Sequence, residues 1–279
     1  MRNHKIAIQG ALSSFHDLAA RKFFGEDVEI VECGTFKDVC QTLANNSVDY
    51  GIIAIENNIV GSILLNYRLI DTFELNIIGE TYLPIELNLM ALPGVEMHEI
   101  KEIISHPIAL AQCQNFLNGL EDMKVTEYKD TAASARALVE TGNRELAVIG
   151  GPAIARTYNL ENVATNVGDE ANNCTRFHVL SKGGDHVEFA NKASVVITLE
   201  QRRGALSDLL LALRKLDVNL TKIQSLPLAG DETKVLFLFD MEYDDAATMD
   251  LAFACIQVHS EKAKVLGTYK SQKLVLAVN

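Results

Sequence analysis

No stretch of this 279-residue sequence has the length and apolarity of a membrane span. The longest candidate run, 146–155, falls far short of the roughly 20 apolar residues that a helix needs to cross a bilayer. Cations are in deficit: 25 Lys and Arg stand against 37 Asp and Glu, a formal charge of -12, and no basic stripe appears. Binding to a phosphate backbone needs a net or local excess of Lys and Arg, so nucleic acid is not an expected partner. The five cysteines, Cys33, Cys40, Cys113, Cys174 and Cys255, are odd in number and never form a C-x-x-C pair. Disulfides and structural zinc are therefore not expected. The seven histidines include no H-E-x-x-H, so no metal site is expected either. Neither a P-loop nor a G-x-G-x-x-G occurs, which removes the usual phosphate cradle and the dinucleotide fingerprint of a redox dehydrogenase. The opening "MRNHKIAIQG" enters a strand-like segment at once, without the apolar region and cleavage site of a signal peptide, and a cytoplasmic location is the expectation.

What is present is a globular balance, 48% hydrophobic and 22% charged, on a chain long enough for two domains. Short Val- and Ile-rich runs recur at "KIAIQG", "EIVECG", "DYGIIAI", "EIISHP", "KVTEYK" and "ELAVIGG", most followed by helical spacing, which reads as α/β. In "TFKDVCQTLANN", Thr35 and Asp38 have capping-box spacing, and Phe36, Val39, Cys40 and Leu43 share one face. A second helix starts at Asp130 and a third is expected through "IALAQCQNFLNGL". The stretch "LNIIGETYLPIELNLMALPG" holds two extended segments with no helix between them, as a crossing between two lobes would, and "NVATNVGDEANNCTRFHVLS" is the expected return. Two lobes joined by extended crossings enclose a cleft, a favoured ligand site. Beyond "SKGGDHVEFANK" the order becomes βαββαβ in about 85 residues, a ferredoxin-like unit. A domain boundary is placed near Phe189.

Three strand-to-helix junctions carry small polar residues: Gly10 with Ser13 and Ser14, Glu56-Asn57 ahead of Gly61, and Ser105-His106-Pro107. Polar groups at strand carboxyl ends face the crevice of an α/β sheet. Each junction can equally be an ordinary turn plus helix cap, with Pro107 where a first helical turn favours it. Gly61 is available there for close backbone approach. Together, without a metal or nucleotide signature, the three point to a small polyanionic organic ligand. The segment "NCTRF" has its own plain account, an edge threonine beside an arginine in a surface ion pair.

The ordered set "SSFHDLAA", "IENNxxGSI", "SHPxALxQC", "DTAxSA", "NxTRF", "GAL", "NLTKI" and "LGTY" resembles prephenate dehydratase with a C-terminal ACT domain, over nearly the whole chain. The resemblance implies a two-lobed, periplasmic-binding-protein-like catalytic domain over residues 1–185, the second lobe spanning roughly 80–165, and an ACT domain over 190–279. It implies a cofactor-free carbon–oxygen lyase that turns prephenate into phenylpyruvate, water and carbon dioxide in L-phenylalanine biosynthesis. Arogenate is the alternative substrate, and a non-catalytic two-lobed anion-binding protein the alternative class. Residue by residue, Thr175 is the implied donor to the leaving hydroxyl, and Arg176 holds charge or shapes the cleft. Phe177 packs near the ring, and Asn57, Gln112, Ser105, Ser14, Thr131 and Asn173 contact substrate. For Glu56, a carboxylate beside a dianion, a structural role weighs at least as much. Ser13 stands where the family usually has glycine, and Asn58 where serine is common. Phenylalanine is the implied effector, bound across a dimer interface in a homodimer or homotetramer by Gly204, Ala205 and Leu206 with Gln224, Ser225, Leu226 and Pro227. The last four replace the family's Glu-Ser-Arg-Pro and lose both of its charges.

Overall fold

The computed structural model describes residues 3–183, 187–228 and 231–272, with the side chains of 227–234 outside that description. Along the first part run β1 (Lys5–Gln9), α1 (Phe15–Phe24), β2 (Glu29–Cys33), α2 (Phe36–Ala44), β3 (Tyr50–Asn57), β4 (Gly61–Ser62), α3 (Leu64–Thr72) and β5 (Asn76–Pro84). Then come β6 (Asn88–Ala91), a 3-10 turn (Met97–Glu99), β7 (Glu102–Ser105), α4 (Pro107–Ala111), α5 (Gln114–Asn118) and β8 (Lys124–Glu127). They are followed by α6 (Thr131–Thr141), β9 (Leu146–Gly150), α7 (Pro152–Tyr158), β10 (Glu161–Ala164) and β11 (Cys174–Ser181). The rest is β12 (Lys192–Thr198), α8 (Ala205–Leu213), β13 (Val218–Leu228), β14 (Asp231–Tyr243), α9 (Ala246–His259) and β15 (Lys262–Tyr269).

These strands form three sheets, ordered β2-β1-β3-β11-β5 with β4 on β3, β10-β6-β9-β7-β8, and β13-β14-β12-β15. The first two are the sheets of the two α/β lobes, and the third is the antiparallel βαββαβ unit. The chain leaves the first sheet after β5 and returns to it as β11, so the crossings fall in the two extended segments read from the sequence. They meet each other: Ile85 N donates to Asn173 O at 2.8 Å. By contacts the chain divides into two compact units. Among the described residues, one gathers those up to Ile63 with Thr81–Phe177, the other Leu64–Glu80 with those from His178 to Gln272.

Local chemistry explains most elements of the first unit. α2 begins at the expected capping box, with Asp38 N donating to Thr35 Oγ1 and Thr35 N to Asp38 Oδ2, and buries Val39, Cys40 and Leu43. α6 is capped by Asp130, whose Oδ1 accepts from Ala133 N at 2.7 Å, and lays Ala132, Ala135 and Leu138 on Val148 and Met90. The single helix expected through "IALAQCQNFLNGL" is instead two, broken at Gln112 and Cys113. The break has a tertiary cause: Asp169 accepts from Gln114 N and Asn115 N, both at 3.0 Å, and its own amide donates to Gln112 O. A carboxylate distant in sequence thus caps a new helix start. Gly61 also departs from expectation, since a side chain there would meet open space; its φ of +89° is what requires glycine.

In the second unit α8 and α9 cover one face of the third sheet, where Val195, Ile197 and Phe239 pack with Leu209, Leu213, Met249 and Ile256. The opposite face is polar yet sealed. Lys192, 3% exposed, pairs with Glu80, 0% exposed, at 3.1 Å, and Ser194 joins Asp240 and Tyr269 at 2.6 and 2.7 Å. Gly267 lies so close to β5 that an added Cβ would come within 2.0 Å of Ile77 O.

Candidate functional site

Within the first unit the two lobes meet around Ser13, Phe15 and both ends of α7. Ser13 has a left-handed φ of +67°, a conformation that is costly outside glycine and accounts for glycine's place there in the family pattern. Two bonds hold it: its amide donates to Asp17 Oδ2 at 2.7 Å, and its hydroxyl meets Thr157 Oγ1 of the second lobe at 2.6 Å. Phe15 packs on Gly151, where an added Cβ would come within 3.1 Å of the ring. Ser14 caps α1, and Gly10 has a φ of +94°, with Ser14 and Asp130 at 3.7 and 3.9 Å from where a side chain's Cβ would sit.

The carboxyl end of β3 is tied to the start of β11. Asn57 Oδ1 accepts from Ile59 N and Val60 N at 2.9 and 3.0 Å. Backbone amides only donate, so this fixes which way the side-chain amide faces. Its Nδ2 then donates to Asn173 Oδ1 at 2.7 Å, Thr175 Oγ1 at 2.9 Å and Cys174 O at 3.2 Å. Thr175 Oγ1 is consequently an acceptor toward Asn57, and among the described residues nothing accepts its own hydrogen. Asn58 adds a clamp on the same turn, donating to Asn172 O and accepting from Cys174 N.

Strand alternation puts Thr175 and Phe177 on one face of β11 and Arg176 on the other. Arg176, buried, lies 3.7 Å from Glu56 of β3, which gives Glu56 a cationic neighbour. Phe177 is buried edge-on against the His16 ring, centroids 5.1 Å apart. His16 Nε2 accepts from Ala54 N at 3.2 Å, so the ring's proton is on Nδ1. Burial, with a smaller contribution from the nearby charge of His106, lowers the His16 pKa to about 3, and the imidazole is neutral near pH 7. His106 caps α4 through Nδ1, which accepts from Ile108 N, and its pKa is likewise lowered by burial, against the opposing pull of Asp130 and Glu127.

The remaining second-lobe residues divide by role. Ser105, fully buried, donates to Ile149 O at 2.6 Å and ties β7 to β9. Thr131 opens α6 beside Gly150, and Gln112, 8% exposed, ends α4 at the break described above. Cys113 is buried, which pushes its thiol up to about 12 and leaves it protonated. His106 was read only as part of the Ser105-His106-Pro107 junction, and His16 was not singled out from the sequence. A histidine at the second position of a helix carries no signal until the fold brings Phe177 to it.

In the second unit Gly204 holds a φ of +85° ahead of α8 and lines a pocket of 480 Å³ with Ala205, Leu206, Glu200, Arg203 and Phe237. Gln224, Ser225 and Leu226 lie on β13 opposite Leu238, Phe237 and Leu236 and are not among that pocket's walls. The side chain of Pro227 lies outside the described residues.

The sequence matches the family described as prephenate dehydratase over residues 6–185. The bifunctional chorismate mutase/prephenate dehydratase of Enterobacter agglomerans is 30% identical over 279 residues, 98% of this chain and 72% of that protein. The crystal structure of prephenate dehydratase in complex with L-Phe from Arthrobacter aurescens is similar at a TM-score of 0.86 and 29% identity, over 98% of this chain and 93% of that one. A structure described as GqqA, a novel type of quorum quenching acylases, also reaches 0.86, at 26% identity over 96% of this chain and 98% of its own.

Proposed function

The chain belongs to the prephenate dehydratase family, and from that premise we propose that it converts prephenate to phenylpyruvate, releasing water and carbon dioxide. The observation that carries the reading is the committed acceptor side of Thr175. With Asn57 Nδ2 donating to Oγ1, the hydroxyl hydrogen is left to point at a departing oxygen. Aromatisation of the ring drives the reaction; the protein needs to place a proton donor at the leaving hydroxyl and hold the rest of the substrate still. Thr175 is that donor, Asn57 and Asn173 set its orientation, and Phe177 borders the ring. Arg176, held beside Glu56 on the other face of β11, acts on the shape and charge of the strand. Gln112, Thr131 and Ser14 are further substrate contacts, and Ser105 supports the second lobe's sheet. An acyl-transfer reading would need a base next to the Thr175 hydroxyl, and the group present is an amide donor.

Residues 1–185 form the catalytic domain and 190–279 an ACT domain that mediates a homodimer or homotetramer and binds phenylalanine at the pocket headed by Gly204. The complex of the Arthrobacter relative with L-Phe supports this part. A cytoplasmic site of action fits the biosynthetic role; among the described residues no helix is long and apolar enough to cross a membrane.

The test is purified protein with prephenate or arogenate, following phenylpyruvate or phenylalanine, with and without added phenylalanine. Turnover of prephenate is expected, and no turnover of either substrate would end the enzyme reading. Thr175→Val should lower kcat by about 100-fold or more, the size of effect seen when a preorganised donor to a reacting oxygen is lost, with Tm unchanged.

A further inference from the structure

Resting on the reading of the site as a prephenate dehydratase centre, we propose that His16 is a further substrate-binding residue, its Nδ1–H donating to the ring carboxylate that departs as carbon dioxide. The ring is locked from three sides. Ala54 N occupies Nε2, Phe177 meets the ring edge-on at an interplanar angle of 86°, and Phe36 lies 5.4 Å away. Among the described residues nothing accepts the remaining proton, on Nδ1. His16 as a residue is half-buried, and its Nδ1 is not among the fully buried polar atoms left without a partner, so the oriented donor keeps some access.

Position selects the substrate group. Thr175 and Phe177 are two residues apart on one face of β11, about 7 Å along the strand, comparable to a six-membered ring with a substituent at each end. A substrate that gives its hydroxyl to Thr175 and extends along the strand toward Phe177, itself buried against the His16 ring, brings its opposite substituent, the ring carboxylate, to His16. The uncharged donor suits this group. A cation would stabilise the carboxylate in the ground state and hold back its loss, whereas a neutral N–H orients it with less ground-state stabilisation. The C–C bond to the carboxylate then breaks to release carbon dioxide, its electron pair enters the ring, and the hydroxyl leaves as water with the proton from Thr175, which regains a proton from solvent water.

Two substitutions separate this role from a structural one. His16→Gln keeps an acceptor near the Nε2 position for Ala54 N and removes the Nδ1 donor. His16→Asn keeps a donor near the Nδ1 position and loses the acceptor. If His16 binds substrate, His16→Gln lowers kcat/KM at least tenfold with an unchanged Tm, and His16→Asn stays within about threefold of wild type with a lowered Tm. In the Thr175→Val background, calorimetric titration with prephenate should show at least tenfold weaker binding when His16→Gln is added. The reverse kinetic pattern, or unchanged prephenate affinity on adding His16→Gln, overturns the proposal while leaving the enzyme reading intact. A wild-type protein inert toward prephenate and arogenate overturns both.

Discussion

At the scale of the residue, the site is governed by which atoms are already spoken for. Asn57 spends its carbonyl on two backbone amides and so has only donors left for Thr175 and Asn173. His16 spends Nε2 on Ala54 in the same way. Its pKa, lowered from 6.5 to about 3 chiefly by burial, also makes a stability prediction. Between those two values the unfolded chain binds a proton that the folded chain refuses. The contribution of His16 is therefore complete above pH 6.5 and erodes as pH falls through the window. By pH 5 the loss reaches about 2 kcal/mol. Urea midpoints measured from pH 7.5 to 5 should fall less steeply in His16→Gln than in wild type; parallel slopes would show that the ring is protonated in the folded protein.

At the scale of the element, what could be read in the sequence was whatever depended on near neighbours. The Thr35–Asp38 capping box and the Asp130 cap act over three residues, and α2 and α6 begin where those residues place them. The break between α4 and α5 depends on Asp169, 55 residues from Gln114, and nothing in the local pattern announces it. Asp169→Ala should cost about 1 kcal/mol, the usual worth of a side-chain helix cap. It should also raise KM more than it lowers kcat, because Gln112 lies at the freed joint; thermal denaturation and steady-state kinetics on the one variant check both. The site divides the same way. Asn57, Asn173 and Thr175 were named from ordered motifs, and one amide joins them. His16 acquires meaning only from Phe177, a contact made across the sheet and invisible to spacing. That Arg176 turns to Glu56 while Thr175 turns to Asn57 follows from strand alternation, which motif matching does not consult.

At the scale of the whole molecule, the second unit takes in Leu64–Glu80 from the middle of the first module and encloses a charge there. Glu80 and Lys192 are both buried, with Gln272 N donating to the same carboxylate at 2.9 Å. Lys192→Met should destabilise the protein by about 3–5 kcal/mol, since removing one partner leaves a buried charge uncompensated. Chemical denaturation measures this, and a loss below about 1 kcal/mol would mean that water reaches Glu80 readily. Gly267, with Ile77 O where a side chain would go, ties the last strand to the same segment. The polar stretch after β11 looks like a natural seam for gene fusion or exchange, yet a recombination joint there would hand Glu80 and Ile77 to a partner that had never been fitted to them. An exchanged C-terminal module must therefore bring its own match for a segment encoded more than a hundred residues upstream.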